Sequence, residues 1–73
     1  MASETAMLRS LGKRIRELRT GRGDSQERLA ELADIHENHL RRIEGGTANP
    51  SFLVLGRIAR AFGLSLSDLL RGL

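Results

Sequence analysis

The stretch that decides the fold is Ser25–Gly46, SQERLAELADIHENHLRRIEGG. Ser25 is a strong helix N-cap: its hydroxyl can accept from the unpaired amides of a first turn, and Gln26 and Glu27 follow it. Leu29, Ala30, Leu32 and Ala33 supply apolar positions over two turns, and Ala30 is small enough to let a neighbouring helix cross closely. Asp34 and Ile35 form the turn, with Ile35 plugging the core where two helices meet steeply. A second helix runs over about His36 to Glu44. Leu40 and Ile43 are its only aliphatic residues, so one narrow stripe is buried. The rest, His36, Glu37, Asn38, His39, Arg41 and Arg42, is polar. Hydrophobic burial alone does not account for such a helix. Gly45 and Gly46 stop it, and Gly46 suits a positive φ.

Upstream, Met1 to about Ser3 read as a frayed end, and residues 1–6 together as a flexible N-terminal tail. From about Glu4 to Thr20, Leu8, Leu11, Ile15 and Leu18 recur in steps of three and four, one face of a helix. Arg9, Lys13, Arg14, Arg16 and Glu17 occupy its other face. Ser3 and Ser10 are both candidate caps. Gly12 weakens the helix interior a little, and Gly21 and Gly23 end it. Downstream, Thr47–Ser51 is a polar loop in which Pro50 pushes Asn49 to an extended conformation. Ser51 caps a fourth helix, about Phe52–Phe62, with Leu55, Ile58, Ala59 and Phe62 as its core stripe. Gly63 stops it. Leu64 enters the core, and Ser65 opens a capping box with Asp68 over a short fifth helix, about Leu66–Arg71. No strand pattern occurs. The expected fold is all-α: one compact domain, 1–73, of five short helices.

Composition narrows the function. With 73 residues and no Cys, the chain has a small core, no disulfide framework and no thiolate metal site. No apolar run reaches the ~20 residues that span a bilayer, and MASETAMLRS lacks a signal peptide's apolar core. The default location is therefore the cytoplasm, with no membrane partner. A net charge of +3 and a pI near 11.0 fit a protein that meets phosphate on one face and carries acids elsewhere. Two Phe and neither Tyr nor Trp argue against stacking platforms for single strands or RNA. His36 and His39 lie three apart but lack further metal ligands. No Ser-His-Asp set or Gly-rich phosphate loop suggests an enzyme, and no cofactor is implied.

The polar helix carries the right chemistry for duplex DNA. Arg offers two parallel donors to guanine O6 and N7, Asn a donor and an acceptor to adenine, and Glu an acceptor to the cytosine amino group. Residues 37, 38, 41 and 42 share one helical face opposite Leu40 and Ile43.

Spacing and residue types along about Leu11–Leu70 resemble the Cro/repressor-type helix-turn-helix proteins, the xenobiotic-response-element family. The resemblance lies in LGKRIRELR, SQERLAELA, IHENHLRRIEGG and ANPSFLVLGRIARAFGLSLSDLL together. Gln26, Leu29-Ala30, Ile43-Glu44, Gly46, Pro50 and the Leu55, Ala59, Leu69 series hold the family's register. It implies a five-helix, lambda-repressor-like fold with the helix-turn-helix in helices two and three. It also implies a transcriptional regulator, a repressor by type, that binds double-stranded DNA as a homodimer on a near-palindromic operator. Such a protein is bacterial or phage-like, and nucleoid-associated when bound. Glu37, Asn38 and Arg42 fall where the family reads bases, flanked by Arg41 and His36. Gln26 and Ser25 at the start of helix two, Arg14, and the loop residues Thr47, Asn49 and Ser51 are the expected phosphate contacts. Arg19 and Glu44 match a buried salt bridge that joins helix one to helix three.

Departures from the family are specific. Asp24 stands where an aliphatic residue is usual, so the turn before helix two is expected to be looser or packed differently. Asp34 stands where Gly is usual, at a position that tolerates Asp at some cost. His36 replaces the usual Ser or Thr cap; Asp34 capping helix three, with Glu37 completing a box, is the alternative. Leu53, Leu64, Leu66, Leu70 and Leu73 exceed what one short helix needs for its own core. Leu53, Leu66, Leu70 and Leu73 are the expected dimer interface, against the alternative that they are core or plain surface. From another functional class, an antitoxin-type module binding a toxin as well as its own operator is the competing reading.

Overall fold

The computed structural model describes residues 3–73. Five helices follow in order: α1 Glu4–Gly21, α2 Gln26–Ala33, α3 Glu37–Glu44, α4 Phe52–Ala61 and α5 Leu66–Leu69. Their starts are fixed by side-chain caps. The hydroxyls of Ser3, Ser25, Ser51 and Ser65 accept from the amides of Ala6, Arg28, Val54 and Asp68. Ser3 rather than Ser10 therefore starts α1, and Glu4–Ala6, expected in a flexible tail, are helical. Met1 and Ala2, the rest of that tail, lie outside the described residues.

The turn between α2 and α3 resolves the open capping question. Asp34 takes the left-handed conformation, φ 55° and ψ 49°, and closes α2. It occupies the position where Gly is usual without capping α3. His36 caps α3 instead, its Nδ1 accepting from the Asn38 amide at 3.2 Å. Ile35 sits half-buried against the core, as expected of a plug at that junction.

Leu11, Ile15, Leu29, Ala30, Ala33, Leu40, Ile43, Ala48, Ile58, Ala59 and Leu69 form one buried cluster. α3 packs against α1 and α2, while α4 packs against α2 and α5. α1 crosses α3 closely at Gly12. A Cβ there would lie 2.4 Å from the Ile43 carbonyl oxygen and 2.5 Å from that of Glu44. Gly12 is thus the contact through which α1 backs the end of α3, a role its cost in helix propensity concealed. Leu32, expected on the apolar side of α2, is exposed instead.

Candidate nucleic-acid interface

α3 is held by its buried Leu40 and Ile43 and by a polar brace. Arg19 of α1 donates to both carboxylate oxygens of Glu44, Nε to Oε2 at 2.7 Å and Nη2 to Oε1 at 3.0 Å. The Glu44 side chain is only 3% exposed. Arg19 also donates to the Asp24 carbonyl at 2.9 Å. The Glu44 hydrogen bond and charge, with Asp24 nearby, raise the Arg19 pKa further despite the opposing effect of burial. Arg19 is therefore charged at any physiological pH. The brace expected between helices one and three is present, and it is bidentate. Asp24, in place of an aliphatic residue, is half-buried with its carboxylate 3.6 Å from the Arg22 Nε. Arg22 in turn donates to the Ala61 carbonyl and lies over the Phe62 ring, closing the turn against the end of α4.

The network then runs outward. Gln26 donates from Nε2 to Glu44 Oε1 at 3.1 Å and accepts at Oε1 from Arg41 Nε at 3.4 Å. Arg41 donates to Asn38 Oδ1 at 3.0 Å and pairs with Glu37 Oε2. The buried brace is thus linked by hydrogen bonds to three of the expected base-reading residues. Arg42 is exposed and makes no side-chain hydrogen bond or ion pair among the described residues. His36 is exposed, with Nδ1 used as cap.

Thr47, Asn49 and Ser51 are exposed in the loop after α3. The Thr47 amide and hydroxyl both donate to the Arg42 carbonyl, at 3.0 and 3.3 Å, so the loop is tied directly to α3. Gly46, at φ 75°, lets the chain leave α3 close against Arg9, whose Cγ would stand 2.9 Å from a Cβ.

Arg14, expected at a phosphate, lies against the C-terminal end of α5. Its guanidinium donates to the carbonyls of Leu69 and Asp68, at 3.2 and 3.0 Å, where it satisfies the end of α5. Among the basic residues of α1 on the α3 side, Arg16 lies beside Arg19. It is exposed and lines a polar cleft of about 310 Å³ with Arg19, Gln26, Arg41, Glu44 and Gly45. The signal for it lay in the register. Arg9, Gly12, Arg16 and Arg19 are spaced three, four and three apart, so the pairing of Arg19 with Glu44 turns all four toward α3.

The expected interface leucines are placed unequally. Leu53 is 69% exposed beside Phe52 at 73%, at the start of α4. Phe52, the first residue of α4, adds a second large apolar side chain to that surface. Leu66 and Leu70 are half-buried against the core. Leu70 and the exposed Leu73 also line an apolar groove of about 470 Å³ with Met7, Leu8 and Leu11.

A five-helix domain with two short helices at a tight turn, the second packed on the core behind, braced at its end by an ion pair and polar in front, defines a helix-turn-helix DNA-binding protein. The helix-turn-helix family HTH_3 matches residues 15–69. The chain belongs to that family, of Cro/repressor type. It is 37% identical over 57 residues to the HTH-type transcriptional regulator PuuR of Escherichia coli (strain K12), covering 78% of this chain. The chain spans only 31% of PuuR. It is also 37% identical over 60 residues to control protein C.BamHI of Bacillus amyloliquefaciens, covering 81% of this chain and 74% of that one. Among solved structures, the restriction-modification controller protein C.AhdI from Aeromonas hydrophila superimposes with a TM-score of 0.82 at 35% identity. That match covers 85% of this chain and 94% of C.AhdI. No described helix is long and apolar enough to cross a membrane.

Proposed function

We propose that this protein is a sequence-specific transcriptional regulator, a repressor, that binds a near-palindromic operator as a homodimer with α3 in the major groove. The observation carrying this reading is the recognition helix itself. Glu37, Asn38, Arg41 and Arg42 lie on a face opposite the buried Leu40 and Ile43, and the Arg19–Glu44 pair braces its edge. A face rigidly backed and polar in front suits readout of base edges. Glu37, Asn38 and Arg42 read bases, with His36 at the edge of the same surface. The second amide hydrogen of Gln26, the start of α2 at Ser25, and Thr47, Asn49 and Ser51 meet phosphates. Arg16 takes the place first given to Arg14. One domain this small covers few base pairs, so a second copy about one duplex turn away raises affinity and specificity. Phe52 and Leu53 supply the exposed part of the interface, with Leu66, Leu70 and Leu73 beside it.

Selection of bound duplexes from a random pool tests the whole reading. The expected product is two similar half-sites with centres about 10 base pairs apart, whose affinity falls steeply with salt. A pool that emerges without a consensus, or a flat salt titration, overturns it.

A further inference from the structure

We infer that Arg41 is a positioning residue rather than a base reader: it sets the presentation of Asn38 and Glu37 to DNA. The inference rests on the proposed DNA-reading role of α3. Three of the five N–H donors of Arg41 are already committed, from Nε to Gln26, from Nη1 to Asn38 and from Nη2 to Glu37. Arginine has no acceptor, so the amide atom of Asn38 that faces it is fixed as Oδ1. The Asn38 Nδ2 donors are then turned away from Arg41. Gln26 is fixed at both ends in the same manner, with its oxygen toward a cation and its nitrogen toward the Glu44 carboxylate. The orientation of the reading amide is thereby traceable to the buried Arg19–Glu44 pair.

Charge gives the second reason. Glu37 alone would bring a carboxylate toward a phosphate backbone. Paired with Arg41, it enters the groove as a neutral unit. Its Oε2 is held by Arg41, while Oε1 makes no hydrogen bond among the described residues and is left to accept from a cytosine amino group. Moving Arg41 to a guanine would strand that carboxylate at the interface as the water leaves. Arg42, one residue on, has no such ties and remains the guanidinium available to a base.

The test is duplex selection with the full 73-residue chain in wild-type form and as Glu37→Ala, Asn38→Ala, Arg41→Ala, Arg41→Lys and Arg42→Ala. The expected result is that Arg41→Ala loses discrimination at the base pairs that Glu37→Ala and Asn38→Ala also lose, by roughly fivefold or more. The pair lost in Arg42→Ala should keep its preference. Arg41→Lys should recover part of the loss, since an ammonium still donates to Asn38 and neutralises Glu37. Combining Arg41→Ala with Asn38→Ala should add nothing at the Asn38 pair. Three outcomes overturn the inference. One is loss of preference at a base pair that none of the other variants touches, which makes Arg41 a direct reader. Another is uniform weakening with a shallower salt slope, which makes it a phosphate contact. The third is an unchanged specificity profile. If wild-type protein selects no consensus, the DNA-reading role itself fails, a result distinct from all three.

Discussion

At the scale of single residues, the two arginines at the end of α3 face different partners. Arg41 is committed to Glu37, Asn38 and Gln26, and Arg42 has no side-chain partner among the described residues. Arg42→Ala is expected to lower affinity for the preferred site by about 1–3 kcal/mol and to relax preference at one base pair, measured by fluorescence anisotropy on single-substitution duplexes. Equal weakening on all duplexes would rule out base reading by Arg42. Glu44 is the opposite case, carrying stability rather than readout. Its carboxylate accepts three hydrogen bonds, two from Arg19 and one from Gln26, and it is almost wholly buried. Glu44→Ala leaves the Arg19 charge without its main partner and should cost about 3–5 kcal/mol. A small domain can unfold from such a loss, so the expected readout is a drop in thermal midpoint of well over 10 °C. An unchanged midpoint would refute the structural role. The pair is unaffected by alkaline pH in the working range, because the Arg19 pKa is raised and its contribution is lost only when pH climbs through that raised value. How Arg19 and Glu44 join was readable only through family register. Nothing in residue spacing alone brings positions 25 apart together.

At the scale of elements, local signals in the sequence mark helix starts well and helix contacts poorly. Ser25, Ser51 and Ser65 were legible as caps because N-capping is a short-range preference of residue type. The His36 cap and the left-handed Asp34 departed from the usual residues, yet both follow from local chemistry: imidazole Nδ1 is an acceptor, and Asp tolerates positive φ. Which face of α1 meets α3 was legible only through the family pairing of Arg19 with Glu44, since local signals carry no inter-helix approach. Gly12 decides that approach. Gly12→Ala gains up to about 1 kcal/mol in helix propensity. Against this, the new methyl meets two backbone carbonyl oxygens, which cannot swing aside as a side chain would. Overpacking of this kind costs about 3 kcal/mol. The loss wins, and a net destabilisation of roughly 2 kcal/mol is expected in urea melts. A stabilised Gly12→Ala variant would mean that α1 and α3 are not this close. The same substitution pushes on Ile43 and Glu44, so weaker site-specific binding should accompany it even where the protein remains folded.

At the scale of the whole molecule, the question is what covers Phe52 and Leu53. Neither has a core role to explain its presence, and both are more than two-thirds exposed at the start of α4. Leu66 and Leu70, by contrast, already pack against the core, so substituting them would confuse folding with association. Burying a large apolar side chain is worth about 1.5–3 kcal/mol. Across a two-fold interface, Phe52 and Leu53 from each of two copies give four such side chains, roughly 6–12 kcal/mol in all. Association itself costs about 4–15 kcal/mol. The two are of similar size, so a weak dimer is expected, one that forms over micromolar concentrations and tightens when two half-sites hold the copies together. Sedimentation of free protein at two concentrations should show the average mass rising toward that of two chains. A double variant, Phe52→Ser with Leu53→Ser, should remain monomeric at both concentrations while its thermal midpoint stays within a few degrees of wild type, because the core is untouched. On DNA it should bind a single half-site much as wild type does, while losing the advantage of the paired site. If the double variant still assembles, the interface lies elsewhere, and the groove between Met7 and Leu73 is the next surface to alter. A wild-type protein that remains monomeric on a two-half-site duplex would remove the dimer altogether.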